Sequence, residues 1–348
     1  MNTRIPHAAL VARLNNASVK KHFDAYEDVA WDAPENRVDP SDPRFERPSD
    51  CGLGATAWYR AQPQAVRARL GLHLAMTQMR LGIDFESVLS RGLLELAYAS
   101  EPGSAEMRYA YHEVIEECQH SLMFQEMITR AGLPVRGIEG IERWGAKRVP
   151  EMARTFPELF FIHVLGGEAP IDHAQKLELA RKDEIHPLLR RILQIHVTEE
   201  ARHISYAKSF LRERVPHLGA WRLLEMRVWT PITLGVMARQ MLQPPRWLLD
   251  EYQVPAAVRR EAFVEDVVHR RRVAQGLRPL RDLCVELDIA SSAFVPLWRA
   301  FGIWGEEPAR LALPAEGRRH EPPPPPHVRR DAEGRGDGGA SSALSSAA

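Results

Sequence analysis

The stretch IHVTEEARHISYA, residues 195–207, places His196, Glu200 and His203 at i, i+4 and i+7. In a helix, three- and four-residue steps return to one face, so these side chains form a single stripe. Ile192 and Ile195 before them and Ala207 and Phe210 after them make the rest of that stripe apolar. One histidine on an apolar face is ordinarily a hydrogen-bonded core residue. A buried carboxylate is costlier and usually has a cation or a metal beside it. Two imidazoles and a carboxylate at ligand spacing therefore call for a partner set elsewhere in the chain.

That set stands in HEVIEECQH, residues 112–120, where Glu117 and His120 repeat the Glu-x-x-His of Glu200 and His203. One such match is common by chance in helical proteins. Two, on separate long helices, fit a carboxylate-bridged dinuclear metal site in a four-helix bundle, which also takes one Glu from each of the other two helices. Periodicity supplies the helices. Apolar residues recur at helical spacing from about 64 to 100, through Leu70, Leu74, Leu81, Phe85, Leu89, Leu93 and Leu96. A second helix spans about 105–131, between Ser104 as N-cap and an AGLP stop. A third is expected at about 151–181, and a fourth at about 187–213, opening on Pro187.

Antiparallel helices bring residues equidistant from their turn to the same height, each residue rising about 1.5 Å. The first turn centres near residues 102–103, so the partner of Glu117 should lie near 88; Glu86 is there, while Glu95 is too close to the turn. The second turn centres near 184, so the partner of Glu200 should lie near 168, which is a glutamate. Gly166, Gly167 and Pro170 surround Glu168 and mark either a packing kink or a loosened turn in which Glu168 can change its ligation. Four carboxylates with imidazoles suit iron, with manganese as the alternative, better than structural zinc. Redox chemistry with O2 makes iron the first choice.

Four neighbours of these residues have two readings each. Asp172 and Glu113, one turn from ligands, read either as acceptors orienting a histidine or as ordinary acids. Glu116 and Glu199 project about 100° from their ligand neighbours and read as surface or ion-pair residues. Cys118 reads as a packed thiol.

Bulk composition agrees with a soluble catalyst. Lys+Arg and Asp+Glu both number 46 in 348 residues, so no net charge invites nucleic acid or an anionic membrane. Three distant cysteines, Cys51, Cys118 and Cys284, suggest reduced thiols in the cytoplasm. The N-terminus lacks the apolar run of a signal peptide. MRVWTPITLGVMARQML, broken by Arg227, Pro231 and Arg239, reads as a buried helix rather than a span. No alternating β pattern appears, so the class is all-α.

The expected organisation is an extended wrapping segment over 1–60, the helical domain over 61–305 and a disordered Pro/Gly/Ser-rich tail over 306–348. Amphipathic helices beyond the bundle are expected at about 220–243, 256–275 and 277–303.

Glu86, Glu117, His120, Glu168, Glu200 and His203 together resemble the ligand set of ferritin-like non-haem di-iron carboxylate proteins. His196, four residues before Glu200, narrows the resemblance to the para-aminobenzoate N-oxygenase (AurF-like) oxygenases. The likeness covers residues 60–215 by motif and reaches about 300 by helix order. It implies a ferritin-like four-helix bundle with additional C-terminal helices, holding two iron ions with His196 as an extra ligand to one of them. It also implies O2 activation to a peroxo species that oxidises an arylamine nitrogen, with electrons from an external donor. A homodimer is expected by the same analogy. Arg80 is one candidate for binding an aryl carboxylate, though an exposed arginine on a long helix is the better reading of it.

Related functions fit less well. A radical-generating subunit needs a tyrosine one turn past the first ligand histidine, where this chain has Phe124. Ferritins have little beyond four helices. Acyl desaturases share most of the metal set but have no counterpart of His196, and an inert scaffold would leave six buried titratable groups uncompensated.

Overall fold

The computed structural model describes residues 5–50, 52–181 and 184–305, and contains no strand among them. Among the described residues, fourteen α-helices follow in chain order. Helices α1 (His7–Lys20), α2 (Gly52–Ala55) and α3 (Ala57–Arg60) belong to the N-terminal segment, and α4 (Gln64–Ala99) and α5 (Ala105–Ala131) form the first long hairpin. Next come α6 (Gly140–Ala146), α7 (Val149–Thr155), α8 (Pro157–Leu179) and α9 (Pro187–Arg214). The rest are α10 (Ala220–Leu242), α11 (Arg246–Glu251), α12 (Ala256–Arg260), α13 (Val267–Glu286) and α14 (Val295–Ala300).

Local chemistry sets the ends of the bundle helices. Ser104 caps α5 by accepting the Met107 backbone N–H at 3.2 Å. Gly132, in the left-handed region, closes the same helix by donating to the Ile128 carbonyl. Proline opens both α8 and α9, where its missing N–H has no intrahelical partner to lose. Helices α4, α5, α8 and α9 pack as the expected bundle, with α10 and α13 laid against α8. Their shared core includes Leu89, Leu93, Phe160, Phe161, Ile162 and Leu211, all essentially inaccessible to solvent.

Several expectations need correction. Within residues 1–60, expected to be extended, His7–Lys20 form a helix that packs on α5 and α9 through Leu10, Val11 and Leu14. The third helical stretch is broken at Phe156, because Pro157 starts a new helix there. Beyond α10, the break falls at Asp266, whose side chain caps α13 by accepting from Val268 N–H at 2.8 Å. The expected tail at 306–348 lies outside the described residues. No helix of the described residues is long and apolar enough to cross a membrane.

Helix α8 runs unbroken through Gly166, Gly167 and Pro170. The Phe85 ring sits so close to Gly167 that a Cβ there would come within 2.3 Å of it. Packing therefore accounts for Gly167, and no loosened turn is seen around Glu168.

Candidate metal centre

The bundle interior brings the seven expected residues to one place, all of them buried. Six form two groups of potential metal donors: Glu86, His120 and His196 in one, Glu117, Glu200 and His203 in the other. Within each group the donor atoms lie within 4.8 Å of one another. Glu117 reaches toward both groups, 2.9 Å from His203 Nδ1 and 3.5 Å from His120 Nδ1. Glu200 Oε1 lies 3.5 Å from His196 Nε2, 3.6 Å from His203 Nδ1 and 3.9 Å from His120 Nδ1. Glu168 belongs to neither group, yet it lines the cavity that Glu86, Glu117, His196 and Glu200 also line.

Many of these donor atoms make no hydrogen bond. Both oxygens of Glu117 and of Glu168, one oxygen of Glu200 and the Nδ1 atoms of His120 and His203 are buried without a hydrogen-bond partner. Orphaned buried polar atoms are rare because each costs about 1–3 kcal/mol. A cluster of them, all able to donate a lone pair, fits metal ions of the hard-oxygen and imidazole class.

Behind the imidazoles stands a reciprocal brace. His120 Nε2 donates to Glu199 at 2.9 Å, and His203 Nε2 donates to Glu116 at 2.8 Å. Arg202 joins the two carboxylates, 2.8 Å from Glu116 and 3.2 Å from Glu199. With Nε2 protonated, each Nδ1 lone pair is left facing Glu117 and Glu200, the arrangement a metal-binding histidine needs. Glu116 and Glu199 are therefore buried histidine acceptors and not surface residues. The sequence carries the signal, since both motifs read Glu-Glu-x-x-His: EECQH and EEARH.

The remaining neighbours divide. Asp172 is buried and takes the Lys176 ammonium at 2.6 Å, rather than orienting a histidine. Glu113 is buried with neither oxygen hydrogen-bonded. Cys118 is exposed, not packed. Ser121, not singled out in the sequence, donates to Glu86 Oε2 at 2.6 Å.

Electrostatics follow from burial and crowding. Desolvation pushes Glu86 up and Glu168 well up, the latter also raised by the Glu200 charge; Glu113 reaches about 8. Burial alone would lower His120 and His203, but the surrounding carboxylates overcome it and hold both well above the ordinary histidine value. Burial would likewise raise Glu117; the imidazoles of His203 and His120 outweigh it and hold that carboxyl low. The metal-free cluster thus keeps protons that incoming cations would displace.

A cavity of about 130 Å³ opens from the carboxylate side of this cluster. Its walls are mainly apolar, including Met79, Phe85, Phe124, Ile171, Leu189 and Leu193. Among the described residues lining it, Arg47 is the one cation. Arg80 does not line the cavity; it pairs with Asp84 at 2.7 Å. Arg47 arrives on a strap outside the bundle. Its backbone N–H donates to Tyr59 Oη, which donates to the Arg67 carbonyl, both at 2.9 Å, and Arg67 pairs with Glu46 at 2.7 Å. The strap presses on α4 at Gly71, where a Cβ would lie 1.8 Å from the Phe45 carbonyl oxygen.

Comparison with known proteins agrees with this geometry. Residues 6–288 match the family described as P-aminobenzoate N-oxygenase AurF. An uncharacterised protein of Mycobacterium bovis and one of Mycobacterium tuberculosis are each 35% identical to the chain over 315 residues, covering 89% of this chain and 93% of theirs. No solved structure matches the chain. The protein belongs to the AurF family of ferritin-like di-iron oxygenases.

Proposed function

We propose that the protein is an O2-dependent oxygenase that oxidises the nitrogen of an arylamine. Glu86, His120 and His196 would hold one iron, and Glu117, Glu200 and His203 the other. Glu117 and Glu200 would reach both ions, and Glu168 would complete the set from α8. When bound, two ferrous ions supply electrons and coordination positions for the reduction of O2. An external donor would restore the ferrous state between turnovers.

The observation that carries this reading is the uneven distribution of nitrogen. His196 joins Glu86 and His120, so one group holds two imidazoles and the other holds one. The chain itself supplies three further things. Its brace fixes the imidazoles, its apolar cavity excludes water, and Arg47 offers a cation to the far end of a substrate. The cavity is close in size to a 150 Å³ apolar cavity known to take up benzene. No described carboxylate pairs with Arg47, so an acid group on the ring, as in the compound that gives the family its name, would complete its charge.

The test is iron content and product formation for wild type and His196→Ala. Wild type is expected to bind two irons per chain and to convert 4-aminobenzoate to its hydroxylamine, nitroso or nitro forms when given O2 and a reductant. His196→Ala is expected to keep most of its iron and lose that conversion. A variant that oxidised amines at the wild-type rate would reduce His196 to a core histidine.

A further inference from the structure

The ligand stripe of α5 continues past the metal centre. Glu117, His120 and Phe124 follow one another at three- and four-residue steps on the buried face, so Phe124 faces the same way as the ligands. Its ring lies on the His196 imidazole, with centroids 5.2 Å apart, and forms part of the cavity wall. Phe85 also lines the cavity, but its ring contacts are with His163 rather than with a ligand imidazole. Its ring is seated over Gly167 and stacked on His163 at 5.8 Å. The rest of the apolar wall is aliphatic apart from the thioethers of Met79 and Met241; what singles out Phe124 is its ring packed on the imidazole of His196.

Exclusion of water protects a reactive oxidant while a substrate is present to consume it. With the cavity empty, the wall itself is the nearest oxidisable matter. We propose that Phe124 is a self-hydroxylation site, modified when the iron-loaded protein meets O2 without substrate. The inference rests on the di-iron reading above. Phe124 exchanges one ring C–H bond for C–OH. The ring gives up two electrons and the two ferrous ions one each, and O2 accepts all four. One oxygen atom enters the ring and the other leaves as water. The ring hydrogen and two solvent protons end on the phenol and that water. Residue 124 thus consumes one turnover of oxidant that would otherwise reach the ligands.

The experiment uses the full chain loaded anaerobically with two equivalents of Fe(II), then exposed to heavy-isotope O2 with neither amine nor added reductant. Digestion and fragment mass spectrometry locate the label. The expected result is one labelled oxygen on Phe124, absent from Phe124→Leu and retained in Phe85→Leu. Met79 and Met241 line the cavity and Met123 and Met127 neighbour Phe124 in the chain, and a sulfoxide adds the same mass. Treatment with methionine sulfoxide reductase removes that contribution and leaves a phenol untouched. Label on Phe85, or solely on methionine, would overturn the assignment. So would an unmodified Phe124 in protein whose iron has been bound and oxidised, and in that case the metal centre stands. Failure to bind iron would remove the di-iron reading and this inference together.

Discussion

His120 on α5 and Glu199 on α9 are joined by a 2.9 Å hydrogen bond between two side chains with no measurable exposure. The bond crosses the bundle and fixes which imidazole nitrogen is free. Glu199→Gln keeps the shape but weakens the acceptor and removes a charge that Arg202 also uses. Fe(II) affinity is expected to fall by about 10–100-fold, as is usual when the acceptor behind a metal-binding histidine is lost. Glu116→Gln should act likewise through His203. Anaerobic titration checks both, and an affinity within twofold of wild type would leave Glu199 as no more than a partner for Arg202.

Gly167→Ala should cost about 1–3 kcal/mol of stability, the usual range for overpacking a filled core. The new methyl meets the Phe85 ring, which has to move. Phe85→Leu in the same chain should recover part of the loss, giving a coupling energy in a double-mutant cycle. Urea midpoints of the four proteins measure it, and strict additivity would mean that the ring is not what limits this position.

Without metal, stability should fall as pH rises from about 7 to about 8. Glu86, Glu113 and Glu168 are raised above their unfolded value of 4.5, and His120 and His203 above 6.5. Above about pH 7 the five histidines that burial lowers (His7, His163, His173, His186 and His269) are neutral in both states, so the folded chain binds more protons than the unfolded chain and the slope is negative; below it those histidines contribute with the opposite sign. Glu117 and Glu116 are lowered, so their contribution has the opposite sign and is lost on the acid side of 4.5. Denaturant unfolding of the chelated protein at several pH values tests this. A flat or rising profile across that window would contradict it.

Ferrous iron should reverse that weakness. A ligand that binds only the folded chain, at about 100 times its Kd, stabilises by about 2.7 kcal/mol. Melting temperature should rise on anaerobic addition of Fe(II) and return on chelation. Identical melting with and without iron would argue against a genuine site.

Arg47→Met should raise KM for 4-aminobenzoate by about tenfold or more, the loss expected from one charge-assisted contact of about 1.5–3 kcal/mol. Neutral aniline should be converted with an unchanged KM. Equal effects on the two substrates would show that the strap, and not the charge, had been disturbed.

The convergence of the proposed metal-binding residues is legible in the sequence because antiparallel helices convert distance from a turn into height, and that rule leads from Glu117 to Glu86 and from Glu200 to Glu168. Of the two readings of Glu116 and Glu199, the ion-pair one holds through Arg202 and the surface one does not, because a 100° offset from the ligand direction here points at a histidine of the facing helix and not at solvent. The doubled Glu-Glu-x-x-His and the shared Arg202 held the clue. Arg47 had no comparable signal, since its place depends on contacts with Tyr59 and α4 that no periodicity encodes. Helix α1 carries only a faint signal, because Leu10, Val11 and Leu14 are the only apolar residues of its fourteen that it buries.

The strap that carries Arg47 crosses α4 at Gly71 without contributing any of the expected metal ligands. The cavity's one described cation and the metal cluster thus come from different parts of the chain. Substitution at Arg47 changes the charge the cavity offers while the helices that carry the cluster stay as they are. Relatives that share every ligand can therefore diverge in substrate, and variation at this position is the first place to look when sorting them.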